Sequence, residues 1–108
     1  IVPCTIKTLS GIANSYNENL IVRAADVALK ERRRLILVVR ETPLHTGHLD
    51  LLKRVAECGA ILLPPVPAFY HRPSRIEDLI DHMVGKILDL MGIDHSLYER
   101  WEGLSSQG

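Results

Sequence analysis

The most restrictive feature of this sequence is a run of five consecutive apolar residues at positions 35–39, LILVV. A strand with one face in water alternates polar and apolar residues, whereas an unbroken branched run is typical of a strand buried on both faces of a parallel sheet. A second run at 60–63 (AILL), closed by Pro64-Pro65, predicts a neighbouring strand. Residues 1–4 (IVPC) have the character of the end of a third buried strand.

Between these runs the apolar residues recur with helical spacing. Thr5 is a predicted N-cap, and Ser74 with Glu77 three residues later has the spacing of a capping box. Gly59 and Gly92 are placed to end helices. The predicted helices span residues 5–17, 18–32, 48–58 and 75–90.

Strands and helices therefore alternate with short connections, which predicts right-handed βαβ units and an α/β fold built on a doubly wound parallel sheet. The length of 108 residues suffices for a single domain, 1–108, with one core. A buried strand at 1–4 needs a partner and a covering helix, so we expect the domain to be incomplete at its N-terminus, with a processed mature terminus as the alternative. Residues 94–108 are expected to form a peripheral arm.

Composition excludes several classes of function. The chain has 13 basic and 13 acidic residues, a net charge of zero that does not favour nucleic-acid binding. No apolar run is long enough to predict a membrane span. Cys4 and Cys58 are interpreted as reduced thiols of a cytoplasmic protein, with a disulfide as the alternative. Among five histidines, His45 and His48 lie three residues apart, but no third ligand has a metal-site spacing, so no metal is expected.

Ligands of doubly wound sheets bind beyond the carboxyl ends of the strands. That rule selects residues 4–8, 40–42 and 64–73, which are also the segments richest in reactive side chains. Lys7 lies between Thr5 and Thr8 at a helix start, where a phosphate or an electron-rich ring edge can bind. The alternative is that Thr5 only caps the helix and Lys7 lies in solvent.

Three further groups of polar residues have similar alternatives. Arg40 suits a phosphate and Glu41 can transfer a proton, or the two form a surface ion pair. Arg23 and Lys30, seven residues apart on one helix face, can grip a phosphate or belong to a solvated face. Tyr70, His71 and Arg72 lie in a proline-flanked loop that can close over an anion or simply form a structural turn.

Three stretches of the chain, in this order and spacing, resemble UbiX-type flavin prenyltransferases. They are PCTIKTLSGIANSYNENLIVRAADVALKERR, LILVVRETPL and GAILLPPVPAFYHRPSRIEDLIDHMVGKILDLMGI. The resemblance covers residues 1–93 and extends to the Arg100-Trp101 tail. It implies a three-layer flavodoxin-like or Rossmann-like fold and a homo-oligomer, commonly a dodecamer, with sites at subunit junctions.

The activity implied by the resemblance is transfer of a dimethylallyl group from dimethylallyl phosphate to reduced FMN, without a metal. The product, prenylated FMN, serves UbiD-type decarboxylases, usually in ubiquinone biosynthesis. Members of the family were formerly described as 3-polyprenyl-4-hydroxybenzoate decarboxylases. One alternative is a paralogue that serves a hydroxyarylic acid decarboxylase. A cysteine-decarboxylating flavoprotein is disfavoured by the FYHRP stretch, and a non-catalytic oligomeric flavin-binding scaffold is the alternative from another class.

The resemblance also assigns roles by position. Many relatives carry Ser where this chain has Thr5, which keeps the hydroxyl. The family's first strand and the Gly/Ser-rich turn that holds the FMN phosphate have no counterpart in these residues. Glu41 matches the residue thought to manage protons, and with Arg40 and Tyr70 it forms the expected catalytic group. The expected FMN-binding residues are Thr5, Ile6, Lys7, Thr8 and Arg40; the expected residues for dimethylallyl phosphate are Tyr70, Lys86, Arg23 and Lys30. We expect Lys7, Arg40, Glu41 and Tyr70 to surround one pocket.

Overall fold

The computed structural model describes residues 1–70 and 72–97. They form two compact units: the N-terminal unit, Ile1–Pro65, and the C-terminal unit, which comprises the described residues from Val66 onward. The elements in chain order are α1 (Ile6–Ala13), α2 (Leu20–Lys30), β1 (Ile36–Leu37), α3 (Thr46–Glu57), β2 (Ile61–Leu62) and α4 (Ile76–Met91).

The sheet of the N-terminal unit is parallel, as the sequence predicts. β1 pairs with β2 in the register Ile36↔Ile61. Residues 1–4 run along the other edge of β1, where Cys4 forms a parallel bridge with Val39 and its N–H donates to the Val38 carbonyl at 2.8 Å. The regular ladder is shorter than the predicted runs 35–39 and 60–63, although single backbone hydrogen bonds continue the pairing on both sides of it.

Burial along β1 explains its unbroken apolar sequence. Leu35, Leu37 and Val39 belong to one core cluster, together with apolar side chains of α1, α2 and α3. Ile36 and Val38 point to the opposite face, because successive side chains of a strand alternate, and they are buried as well. The prediction of a strand buried on both faces is therefore confirmed.

Close packing between α1 and α2 depends on Gly11. A Cβ at this position would lie 3.0 Å from Cγ2 of Val22. The sequence predicts a longer first helix, but α1 ends at Ala13 because the Asn14 side chain donates to the Ser10 carbonyl at 2.8 Å and Ser15 has a φ of 51°. Side-chain bonds of Asn and a positive φ both favour a turn over further helix.

The start of α2 is shifted in the same way. It begins at Leu20 and not at residue 18, because the Asn19 side chain accepts from the N–H of Val22 at 2.9 Å. An N-cap has an extended backbone, so the helix can begin only after it. α3 begins at Thr46, two residues before the predicted start, because His45 is its N-cap.

The N-terminus of α4 corrects a sequence prediction. Arg75, not Ser74, occupies the N-cap position, and the capping carboxylate belongs to Asp78, not Glu77. Asp78 Oδ2 accepts from the Ser74 N–H at 3.0 Å, the Ser74 hydroxyl at 3.1 Å and the Arg75 N–H at 3.1 Å. In a helix that begins at Ile76, Asp78 is the third residue, the position whose side chain reaches back to the cap.

The far end of α4 agrees with prediction, since the helix ends at Met91 and Gly92 follows with a φ of 76°. Beyond it, His95 Nε2 lies 2.8 Å from Asp89 Oδ1. Most of the predicted arm 94–108, including Arg100-Trp101, lies outside the described residues. No helix within 1–70 and 72–97 is long and apolar enough to cross a membrane.

Candidate functional site

Two of the predicted segments leave the sheet side by side. Because Cys4 and Val39 are paired in parallel, Thr5 and Arg40 are the first residues beyond the same sheet edge. Thr5 continues into α1, whereas Arg40 and Glu41 continue into the connection to α3. The structure therefore brings the 5–8 segment and Arg40-Glu41 to one carboxyl edge, as predicted.

The Thr5–Thr8 turn is built as a helix cap. Thr5 Oγ1 accepts from the Thr8 N–H at 3.1 Å, and the two hydroxyls lie 3.1 Å apart. The capping role considered for Thr5 is thus observed. Helix geometry leaves the N–H groups of Ile6 and Lys7 without an intrahelical acceptor. These amides and the exposed Lys7 side chain suit an anion or an electron-rich ring edge.

An open groove of about 680 Å³ adjoins this turn. Ile6 and Leu51 contribute apolar wall, and Lys7 contributes a cation. The imidazoles of His45 and His48 line the same groove from the start of α3. Its remaining lining residues are Ser10, Gly11, Asn14, Tyr16, Glu18 and Gly47.

His45 and His48 cap α3. Each Nδ1 accepts the partner residue's backbone N–H, at 3.3 Å for His48 N–H to His45 and 3.4 Å for the reverse, and the rings stack with centroids 3.5 Å apart. Within 1–70 and 72–97 no group of three potential ligands is placed to hold a metal ion. A separation of three residues, as between His45 and His48, occurs in metal sites, but it is also the separation of the two residues of a capping box.

Arg40 and Glu41 are both exposed. None of the ion pairs formed by the described residues involves either side chain, so the alternative of a mutual ion pair is not observed. A guanidinium and a carboxylate at adjacent positions beyond a strand can serve an anionic group and a proton separately. Their chemical roles stay predictions.

Arg23 and Lys30 are exposed on α2. Arg23 lines a second, smaller groove of about 320 Å³ together with Arg33, whose guanidinium lies 3.2 Å from the Glu31 carboxylate. Lys30 is the last residue of α2, which leads into the amino end of β1. Within this chain, Lys30 is therefore not brought to the carboxyl edge where Lys7 and Arg40 lie.

In the C-terminal unit, a residue that sequence reasoning missed connects Tyr70 to α4, the helix that carries Lys86. The Tyr70 hydroxyl lies 3.0 Å from Nε2 of His82, and the two rings meet edge to face with centroids 5.8 Å apart. Lys86 follows His82 by one turn on the same face of α4, where side chains four residues apart are neighbours. No local signal identifies His82, because only the path of the chain brings it to Tyr70.

Two parts of the predicted site remain open. His71 lies outside the described residues. Lys7, Arg40 and Glu41 belong to the N-terminal unit and Tyr70 to the C-terminal unit. A single pocket around these four residues stays a prediction.

A family model and several curated relatives match most of this chain. The family model described as Flavoprotein matches residues 1–94. The flavin prenyltransferase UbiX of Thauera aromatica is 60% identical over 103 residues, which cover 95% of this chain and 53% of that protein. UbiX of Escherichia coli K12 is 57% identical over 105 residues, covering 95% and 56%.

Solved structures of UbiX-type proteins also match most of this chain. A structure of AnUbiX (PadA1) in complex with FMN and dimethylallyl pyrophosphate superposes with a TM-score of 0.90 at 54% identity, covering 94% of this chain and 54% of that one. A dodecameric FMN-dependent UbiX-like decarboxylase from Escherichia coli O157:H7 gives a TM-score of 0.87 at 46% identity, covering 94% and 55%. The α/β fold predicted from the sequence is confirmed.

The chain spans about half the length of the curated relatives it matches. The match to the family model nevertheless runs through α1, β1, β2 and α4, and so includes both groups of candidate residues described above. On this evidence, the chain belongs to the Flavoprotein family.

Proposed function

We propose that this protein is a flavin prenyltransferase that transfers a dimethylallyl group from dimethylallyl phosphate to reduced FMN. The observation that carries the proposal is the 60% identity to the UbiX of Thauera aromatica over nearly the whole chain. The structural neighbour that holds both FMN and dimethylallyl pyrophosphate, at a TM-score of 0.90, supports the pairing of a flavin with an allylic phosphate ester.

The flavin-binding residues in this proposal are Thr5, Ile6, Lys7, Thr8 and Arg40. Bound reduced FMN supplies an electron-rich ring as the acceptor of the allyl group. The unbonded amides of the first α1 turn and the Lys7 ammonium suit the oxygen-bearing edge of that ring. Arg40, at the adjacent strand end, offers a planar fork of donors for an anionic group.

The allylic phosphate in this proposal is bound by Tyr70 and Lys86. Arg23 and Lys30 are further cations that would reach it at a subunit junction, since Lys30 is not at the carboxyl edge within its own chain. Breaking an allylic carbon–oxygen bond places negative charge on the departing phosphate, so donors and cations that are already in position lower the barrier. The Tyr70 hydroxyl, bonded to His82 of α4, and the Lys86 ammonium, one helical turn further along α4, supply a donor and a charge of that kind. Apolar walls that exclude water favour transfer over hydrolysis.

Glu41 is proposed as the group that accepts the proton lost from the flavin when the dimethylallyl group closes a fourth ring on it. A carboxylate can do so when it lies within hydrogen-bond reach of the departing proton. Its place directly after Arg40, beyond the sheet edge from which α1 also departs, supports the assignment.

The proposal extends to partners. The product is expected to pass to a UbiD-type decarboxylase, which would place the protein in ubiquinone biosynthesis in the cytoplasm, where the free thiols Cys4 and Cys58 stay reduced. A homo-oligomer, with a dodecamer as the expected form, is supported by the dodecameric neighbour. Exposed apolar side chains along α4, at Ile76, Ile80, Val84 and Met91, suit coverage by another surface.

The test is an anaerobic reaction of the full-length protein with reduced FMN and dimethylallyl phosphate. We expect a changed flavin absorption spectrum and a flavin product heavier by one prenyl group in mass spectrometry. A flavin of unchanged mass, from protein that binds FMN, would contradict the proposal and favour the non-catalytic scaffold. A prenylated product that activates only a hydroxyarylic acid decarboxylase would identify the paralogue.

Substitution of Glu41 tests the assignment of the proton acceptor. Glu41→Gln is expected to leave FMN bound and to slow formation of the final product about 100-fold, because the amide cannot take up a proton. The measurements are FMN fluorescence titration and single-turnover mass spectrometry. Glu57→Gln, at an exposed position of α3 that pairs with Lys53, is the matched control and should be silent. Loss of FMN from Glu41→Gln would indicate a binding role instead.

A further inference from the structure

We propose that His82 is a positioning residue that holds the Tyr70 hydroxyl so that its hydrogen points at the phosphate of the allylic substrate. The inference rests on the proposed function, because Tyr70 is taken as a phosphate-binding residue there. It adds a residue from the middle of α4 to which no role has been assigned above.

Burial of the two partners is unequal. Tyr70 is 74% exposed, whereas His82 is 5% exposed. An exposed phenol in a loop between Pro67 and Pro73 has several orientations open to it, and restricting it to one of them costs conformational entropy. The 3.0 Å hydrogen bond to a buried imidazole, with the rings nearly perpendicular at 86°, selects one of them.

The chemistry of this bond gives it a direction. A phenol has a single hydrogen, so Tyr70 can donate to an anion only if its oxygen accepts from His82 Nε2–H. Donation from Nε2–H also polarises the phenol, which makes its O–H a stronger donor, since hydrogen bonds in a chain reinforce one another. Bound phosphate is therefore expected to select the form of His82 that carries a proton on Nε2.

Lys86 adds a cation to the helix that holds this donor. Lys86 lies one helical turn beyond His82 on the same face of α4, and it is exposed. A phosphate has several oxygens, so a phenol hydrogen and an ammonium can bind different ones at the same time. His82 and Lys86 belong to one regular helix, so the hydrogen bond between His82 and Tyr70 fixes the Tyr70 hydroxyl relative to that helix.

The competing interpretation is that Tyr70 merely satisfies a buried histidine. Buried polar groups need hydrogen-bond partners, and a phenol is a common one. Under that interpretation, removal of His82 changes stability but leaves the affinity for substrate unchanged. The two interpretations therefore differ in a quantity that can be measured.

The experiment is a double-mutant cycle in the full-length protein, with FMN bound, on the equilibrium affinity for dimethylallyl phosphate. His82→Phe keeps an aromatic ring but removes the nitrogen that orients the Tyr70 hydroxyl. We expect it to weaken binding about tenfold, because Tyr70 then loses its hydrogen bond to the charged phosphate. His82→Gln, whose amide reaches the position of Nε2, is expected to restore most of the affinity. In a Tyr70→Phe background, His82→Phe is expected to have no further effect.

Binding affinities and histidine ¹⁵N spectra together decide between the two interpretations. Additive losses in the double variant, or an unchanged affinity in His82→Phe, would overturn the inference. Should His82→Phe not fold, His82→Asn replaces it, because its amide falls short of the Nε2 position. In addition, ¹⁵N spectra of labelled histidine should show a protonated Nε2 at His82 once dimethylallyl phosphate is added, and an unprotonated Nε2 there would contradict the proposal.

Failure of the proposed function is distinguishable from failure of this inference. The binding cycle needs no turnover, so it decides the role of His82 even if the wild-type protein leaves the flavin unmodified. An active wild-type protein with an additive cycle would retain the function and remove His82 from it. In an active protein, His82→Phe is expected to raise KM and to lower kcat as well, because Tyr70 contacts the phosphate in the bound state and also stabilises the charge that develops on it as the carbon–oxygen bond breaks.

Discussion

The N-terminal and C-terminal units are held together by different kinds of contact. Among the described residues, every buried apolar side chain lies in the N-terminal unit, where the β1 side chains pack against three helices. In the C-terminal unit the buried residues are His82 and Gly85 of α4. Polar contacts of side chains organise that unit: Asp78 with Ser74 and Arg75, Tyr70 with His82, and Asp89 with His95.

The difference shows why the two groups of candidate residues are positioned differently. In the N-terminal unit, Lys7 and Arg40 are aimed by backbone pairing and apolar packing, which are insensitive to any one polar side chain. Among the described residues of the C-terminal unit no apolar side chain is buried, so α4 and the segments beside it depend on directional hydrogen bonds. Substitutions should therefore act on stability in the first unit and on local geometry in the second.

The largest expected effect separates the two units directly. Leu37→Ala removes a fully buried side chain from β1 and is expected to lower the free energy of unfolding by about 2–5 kcal/mol, because the site cannot collapse around the cavity. Val66→Ala in the C-terminal unit, at a residue that is 70% exposed, is the matched control and should change it by about 0.5 kcal/mol or less. Urea unfolding measures both, and equal costs would break the comparison.

A smaller effect tests the close approach of α1 and α2. Gly11→Leu is expected to cost about 1–3 kcal/mol by overpacking, because even a Cβ would meet Val22 at 3.0 Å. Val22→Ala combined with Gly11→Leu should recover part of that loss, since the truncated side chain makes room. If the two costs simply add in urea unfolding, α1 and α2 do not press on each other at this point.

The smallest effect concerns the start of α4 and depends on pH. The backbone N–H of Ser74, which donates to Asp78, is the main reason that the pKa of this carboxyl is lowered. The contact is therefore complete above pH values of about 4, the ordinary range of aspartate, and is lost as the pH falls through the lowered folded value. Protection of the Ser74 and Arg75 amides against hydrogen exchange, measured relative to the intrinsic rate at each pH, should fall only below that range, and Asp78→Asn should abolish the step. Glu77→Gln is the matched control, and a step that survives Asp78→Asn would assign the cap to another group.

Local sequence signals account for much of the fold. The LILVV run predicts β1 correctly because burial on both faces demands apolar side chains on both. Thr5 and Gly92 predict the start of α1 and the end of α4, because capping chemistry involves neighbours along the chain. Helix ends at Asn14 and Arg75 are mispredicted because several polar residues compete there for the same backbone groups, and their relative geometry decides the outcome.

The sequence by itself determined the parallel sheet and the exit of Thr5 and Arg40 from its carboxyl edge, since both follow from the order of apolar runs and from the handedness of βαβ connections. Only the tertiary structure decided that His82 meets the Tyr70 hydroxyl, that His45 and His48 cap each other, and that Gly11 accommodates Val22. Periodicity reports which face of an element is buried, whereas side-chain contacts depend on how separate elements approach one another. For that reason the residues that position a ligand group are harder to foresee than those that form the core.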